Sequence, residues 1–310
     1  SSGYWIYVGS AFGPGGLRSR LAHHLKPSRR PHWHLDYIKT AMRPVEIWTT
    51  TDTVKYAQVV PDICPRENEF VEIMDEVRRE LVKVVHADPE KYTAVLFTGS
   101  GTIIQDVLVN SLVPEGQKIC VVNNGAYSAR MVEIAEYYHI PCVDLKFPST
   151  GLPDLAVVKE TLEKDKDIAV VATVHHETGT GVLNPIKEIG RMAHDNDAVF
   201  VVDTISTYGL IPLDIEEQNI DFLMSSAQKG LAGMTGASWT VGNIEEIKKS
   251  KDYPTRSYYC NLFMQYDFFE RIGEMHFTPP VQTMYALQQA IKEYFEEGEQ
   301  ARCERLTQCW

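Results

Sequence analysis

From residue 92 onward, short runs of β-branched and aliphatic residues alternate with stretches patterned every three to four residues. This alternation constrains the fold more than any other feature of the chain. "TAVLF" precedes a Gly-Ser-Gly-Thr turn and a helical pattern, "KICVVN" precedes "GAYSARMVEIAEYYH", and "DIAVVATVH" precedes a Gly-containing turn and "IKEIGRMAHDN"; "AVFVVDT" and "IDFLMSSA" follow. A run that is apolar at every position suits a strand buried on both faces, which a parallel sheet flanked by helices provides. The chain is therefore predicted to be an α/β fold with a mainly parallel sheet covered by helices on both faces. Ligands of such folds bind beyond the carboxyl ends of the strands. Near the C-terminus, "PPVQTMYALQQAIKEYFEEGEQARCERL" reads as one long amphipathic helix, apolar at Met284, Leu287, Ile291 and Phe295.

With 310 residues, 44% of them apolar, the chain can bury one large core or two smaller ones. No apolar run approaches the roughly 20 residues of a membrane span, and "SSGYWIYVGS" lacks the basic start and apolar core of a secretion signal, so a cytoplasmic location is expected. The cysteines, at 64, 120, 142, 260, 303 and 309, form no C-x-x-C pair, which predicts reduced, mostly buried thiols and neither disulfide nor metal site. Charge is uneven. Residues 1–50 carry seven Lys and Arg against Asp36 and Glu46, whereas the remainder carries 23 basic and 40 acidic residues. Such asymmetry points to a nucleic-acid-facing segment or to two sequences of different origin joined end to end.

Three strand-end loops carry complementary chemistry. Gly99-Ser100-Gly101-Thr102 offers free backbone amides, two hydroxyls and a positive helix end, which suit a phosphate but also suit a plain helix cap. Asp203 closes the apolar run "AVFVVD", where a carboxylate needs a partner or an edge open to water; a capping role is the simpler alternative. Lys229 lies among small and apolar residues in "SSAQKGLAGM". There it is either the first polar residue of a turn or a desolvated amine of lowered pKa, ready to condense with an aldehyde. Phosphate anchorage, a carboxylate for a pyridine nitrogen and an amine for an aldehyde are together what pyridoxal 5′-phosphate requires.

The ordered segments "LFTGSGT", "NNGAYSARM", "HHETGTGVLNP", "VVDTISTYG", "SSAQKG" and "HFTPPVQTMYAL" resemble the fold-type I, class V aminotransferases. "TTTDTVKYAQVVPDICPRENEF" brings the resemblance nearest to the 2-aminoethylphosphonate transaminases. The resemblance implies that Ser100, Gly101 and Thr102 bind the cofactor's phosphate, that Tyr127 stacks on its ring and that Thr178 bonds the O3′ side. It further implies that Asp203 pairs with the ring nitrogen, that Gln228 contacts ring or phosphate and that Lys229 is the Schiff-base lysine. Thr278 would reach the phosphate of a neighbouring subunit, which makes the enzyme a homodimer. Taken alone, Tyr127 could equally be a core aromatic and Thr178 a turn hydroxyl. The implied reaction moves an amine from 2-aminoethylphosphonate to pyruvate, giving phosphonoacetaldehyde and alanine. The alternatives are an alanine- or serine-glyoxylate type transaminase, or a cofactor- or nucleic-acid-binding protein without turnover. A cysteine desulfurase would carry histidines where this chain has Tyr127 and Gln228.

On this reading residues 51–310 are the aminotransferase large domain, without the family's "TPGP"-like first segment and with its C-terminal small domain truncated. No residue takes the part of the small-domain arginine that grips the substrate's anionic group. Residues 1–50 form a separate basic segment. There "YVGSAFGPGGLRSR" and "HWHLDY" resemble a GIY-YIG-related family at Tyr7, Gly9, Arg20, His32, His34 and Asp36. The leading "GIY" strand and a metal-binding glutamate are missing from it, so weak contact with nucleic acid is expected rather than nuclease chemistry.

Overall fold

The computed structural model describes residues 53–58 and 63–307, which belong to one compact unit beginning at Thr53. The positions that carry the GIY-YIG resemblance lie outside the described residues, as does Cys309.

Seven strands form one sheet: β1 (Tyr92–Gly99), β2 (Lys118–Asn123), β3 (Cys142–Lys146), β4 (Ile168–Val174), β7 (Val199–Asp203), β8 (Phe222–Ser226) and β9 (Gly236–Asn243), in the order β1-β9-β8-β7-β4-β2-β3. β5 (His176–Glu177) and β6 (Val182–Leu183) make a separate two-residue hairpin. Pairing is parallel from β8 through β7, β4 and β2 to β3, and β9 runs antiparallel to both of its neighbours. β1 therefore points the same way as β8. The carboxyl ends of β1, β4, β7 and β8 all emerge on one edge of the sheet, and that edge is where the site is built.

The apolar runs become strands for the reason the sequence gives: four of the five residues of β7 and all five of β8 are buried, as both faces are covered. Their cover includes α2 (Asn68–Lys83), α3 (Thr102–Leu112), α4 (Ala126–Tyr137) and α6 (Ile186–His194), and α5 (Leu155–Lys164) packs against α6. Each fully buried Leu, Ile or Phe contributes about 1.5–3 kcal/mol relative to exposure. Leu96, Phe97, Ile104, Phe200 and Phe222 are among those with almost no solvent contact.

Three expectations are corrected. The long C-terminal helix is two, α9 (Val281–Glu297) and α10 (Glu299–Thr307), because Gly298 takes φ +82°, a conformation that ends a helix. Phe295, placed on its apolar face, is instead 43% exposed. Among the described cysteines, all free, only Cys120 is buried and Cys64 is exposed. Burial pushes the Cys120, Cys142 and Cys260 thiols up to about 12. No described helix is long and apolar enough to cross a membrane.

Candidate active site

A cavity of about 200 Å³ opens beyond the strand ends. Of the nine positions singled out in the sequence, eight line it: Ser100, Gly101, Thr102, Tyr127, Thr178, Asp203, Gln228 and Lys229. Thr278 does not; it is exposed and lies elsewhere on the surface.

One end of the cavity is the start of α3. Ile103 N and Ile104 N donate to the carbonyls of Ser100 and Gly101 at 2.9 and 3.1 Å, which leaves the amides of Gly101 and Thr102 without an acceptor among the described residues. A Cβ on Gly101 would come within 2.6 Å of Ile205 Cδ1 and 3.4 Å of Ser226 Oγ, so a side chain here would have to displace the end of Ile205. Thr102 Oγ1 accepts a hydrogen bond of 3.2 Å from Arg130 Nη1. The same guanidinium lies 5.0 Å from the centroid of the Tyr127 ring. Tyr127 and Arg130 are three residues apart on α4 and share one of its faces.

A buried carboxylate fixes the start of α4. Glu177, 1% exposed, accepts from Ser128 N at 2.9 Å, Ser128 Oγ at 2.7 Å and Tyr127 N at 3.3 Å. It thus satisfies helix-terminal amides and places a negative charge at the positive end of the helix dipole. The approach needs Gly125, whose Cβ would lie 2.3 Å from Glu177 Cδ. Across the cavity, Thr178 Oγ1 and Ser206 Oγ are 2.5 Å apart.

Asp203 ends β7 and is buried. Its Oδ1 accepts from Ile205 N at 2.9 Å and its Oδ2 from Gln105 Nε2 at 2.7 Å. Burial drives its pKa up to about 6 and the Glu177 charge adds to the rise; the two hydrogen bonds and Arg130 act against it.

Lys229 sits in a tight loop after β8. Gly233 N bonds Ala227 O at 2.8 Å, Ala232 N bonds Lys229 O at 2.9 Å, and Ala232 takes φ +57°, rare for a residue with a side chain. From α10, Arg302 Nη2 donates 2.6 Å to the carbonyl of Gly230. The expected desolvation of the lysine is not found: its apolar neighbours Ala227 and Leu231 turn into the core, and Lys229 is left exposed at the cavity.

Arg130, His176, Ser206 and Ser226 also line the cavity and were not singled out from the sequence. Arg130 was within reach of that reading, since a residue three after Tyr127 on a helix faces the same way. Ser206 lies three residues beyond Asp203 and Ser226 three before Lys229, but nothing in their composition sets them apart.

The class V aminotransferase family matches residues 34–308. The chain belongs to the class V aminotransferases. The match takes in residues 34–50, which the sequence reading had given to the N-terminal segment. Among relatives of this class V aminotransferase, a bifunctional phosphonoacetaldehyde hydrolase/aminoethylphosphonate transaminase of Clostridioides difficile is 37% identical over 85% of the chain and 41% of its own length. The 2-aminoethylphosphonate–pyruvate transaminases of Lysinibacillus sphaericus and Bacillus mycoides are 35% and 37% identical over 81% of the chain and 68% of theirs. The chain thus spans less than half of the first relative and about two thirds of the other two. In structure it is similar to an alanine–glyoxylate aminotransferase from Nostoc sp., with TM-score 0.76 at 24% identity over 85% of this chain and 72% of that one. It is also similar to a pyridoxamine–pyruvate aminotransferase from Mesorhizobium loti, with TM-score 0.74 at 20% identity over 82% and 64%.

The cofactor of this aminotransferase family is pyridoxal 5′-phosphate, and the donor set fits it. Ser226 Oγ and Gln228 Oε1 line the cavity, are buried and have no hydrogen-bond partner among the described residues, so they are available to a polar ligand.

Proposed function

We propose that this class V aminotransferase moves the amine of 2-aminoethylphosphonate to pyruvate, giving phosphonoacetaldehyde and alanine. The observation that carries the chemistry is the meeting of a helix N-terminus, a buried acid and an accessible amine in one cavity. The substrate reading is supported by the three relatives at 35–37% identity, each of which bears an aminoethylphosphonate transaminase name.

When bound, pyridoxal phosphate supplies an aldehyde that captures amines and a ring that withdraws electrons from the carbon next to them. Ser100, the Gly101 amide, Thr102 and Arg130 would hold its phosphate. Tyr127 would stack on its ring, and Thr178 with Ser206 would bond its hydroxyl. Gln228 uses its free oxygen on ring or phosphate. Asp203, ionised above about pH 6, keeps a proton on the ring nitrogen, which makes the ring a better electron acceptor. Lys229, exposed at the cavity, would bind the aldehyde through its Nζ and would serve as the base that takes a proton from the amine-bearing carbon.

Thr278 is exposed and is not among the residues lining the cavity; on the proposed reading it completes the cavity of a second copy in a homodimer. The test is spectroscopic. Adding 2-aminoethylphosphonate to the cofactor-loaded protein should convert the visible absorbance of the aldehyde form to the ultraviolet band of the amine form, and pyruvate should reverse it. Lys229→Ala should abolish the covalent adduct trapped by borohydride. A loaded protein whose spectrum answers alanine with glyoxylate but not the phosphonate would overturn the substrate reading.

A further inference from the structure

Gln105, fully buried on α3, has one amide nitrogen with two hydrogens and two acceptors: Asp203 Oδ2 at 2.7 Å and the Tyr127 carbonyl at 3.2 Å. Its oxygen Oε1 is buried without a partner among the described residues. A side-chain amide can be turned end for end, and the alternative orientation would let Oε1 accept from a protonated Asp203. That turn would set Oε1 against the Tyr127 carbonyl, acceptor against acceptor, and bury the repulsion where no water relieves it. The main-chain carbonyl of α4 therefore dictates which end of the amide Asp203 meets. That end is the Nε2 donor, and a donor stabilises the ionised carboxylate.

We propose that Gln105 is a positioning residue that holds the Asp203 carboxylate in one orientation and favours its ionised form, with the Tyr127 carbonyl as the latch. One amide then couples the acid to the helix that carries Tyr127 and Arg130. The inference deepens the reading above, since it rests on Asp203 as the partner of the ring nitrogen. The charged and titratable groups around that carboxylate are Arg130 on α4, His175 after β4, His176 and Glu177 on β5, and Lys229 after β8. None of these bonds the Asp203 side chain. Gln105 and the Ile205 amide alone, among the described residues, do so.

The experiment titrates the Asp203 carboxyl in the apoprotein by carbon-13 NMR, with Asp203→Asn to assign the signal, and measures pyridoxal phosphate affinity across pH. A hydrogen bond to a charged group is worth enough to move a midpoint by about one to two pH units. Gln105→Met, close in shape and without the donor, should raise the Asp203 midpoint by that much and weaken cofactor binding at neutral pH about tenfold or more, with the loss recovered at higher pH. A folded Gln105→Met protein with an unmoved midpoint overturns the proposal. If that variant does not fold, Gln105→Glu carries the test, because two carboxyls sharing the site must raise the midpoint further. Should neither fold, the unaltered protein decides: an Asp203 carboxyl found protonated at pH 7.5 overturns the proposal. A raised midpoint with unchanged affinity for the cofactor upholds Gln105 as the positioning residue and counts instead against Asp203 as the group that meets the ring nitrogen.

Discussion

Arg130 is the residue whose placement most changes the electrostatics of the cavity. It lies against Thr102 and over Tyr127, so a dianionic phosphate at the start of α3 meets a guanidinium as well as helix amides. Arg130→Met should weaken cofactor affinity by about 10- to 100-fold, from the 1.5–3 kcal/mol of a charge-assisted hydrogen bond. Arg130→Lys should recover part of that loss, and equilibrium dialysis on apoprotein reads both. Asp203 sets a pH limit. With its pKa near 6, the amine-transfer half-reaction should fall off as pH drops through that value, and Asp203→Asn should remove the limb along with most of the rate. The ends of the strand runs were legible because an acid and an amine stand out against the apolar residues that precede them. Gln105 and Glu177 were not. Their importance comes from what they touch on other elements, Asp203 and the start of α4, and a linear pattern carries no trace of that.

At the scale of elements, the strands that the sequence declares are those whose burial is apolar. β9 escapes the same reading because "GASWTVGN" is small and polar, although six of its eight residues are buried. Its polar side chains bond the backbone of the strands on either side: Thr240 Oγ1 donates 2.7 Å to Leu223 O and Ser238 Oγ donates 3.0 Å to Gly99 O. Neighbours on both edges thus supply what apolar composition supplies elsewhere. The division of the C-terminal helix at Gly298 is likewise local, and it has a consequence for the site. α10 turns so that Arg302, largely buried, reaches the Gly230 carbonyl, an ion pair with Glu297 at 3.1 Å and the Tyr294 ring. Arg302→Met should cost about 1–3 kcal/mol in urea unfolding and free the Lys229 loop. Hydrogen exchange at Leu231 to Gly233 should speed up while the exchange of β7 and β8 amides stays slow.

Across the whole molecule, the edge of the sheet that collects the site also collects two buried titratable groups with opposite effects on stability. His175 is held neutral, first by burial and then by the charge of His176, so that its pKa falls to about 4; its Nδ1 sits 3.0 Å from Thr207 Oγ1. The unfolded chain binds that proton near 6.5, so stability is lost as pH falls from 6.5 toward 4, by up to about 3 kcal/mol. Asp203 runs the other way. Its folded pKa near 6 exceeds the unfolded value near 3.8, so the folded apoprotein takes the proton first and gains up to about 3 kcal/mol as pH falls through that window. The two contributions offset each other over almost the same range, which leaves the strand ends nearly indifferent to acid there. Asp203→Asn removes only the gain. Relative to the unaltered apoprotein, this variant should be more stable at pH 8, and that advantage should shrink by about 3 kcal/mol between pH 6 and 4. Urea unfolding of both proteins at half-unit pH steps measures the difference, in which every other carboxylate cancels. Parallel curves for the two proteins would mean that the Asp203 proton is bound no more tightly in the fold than in the unfolded chain.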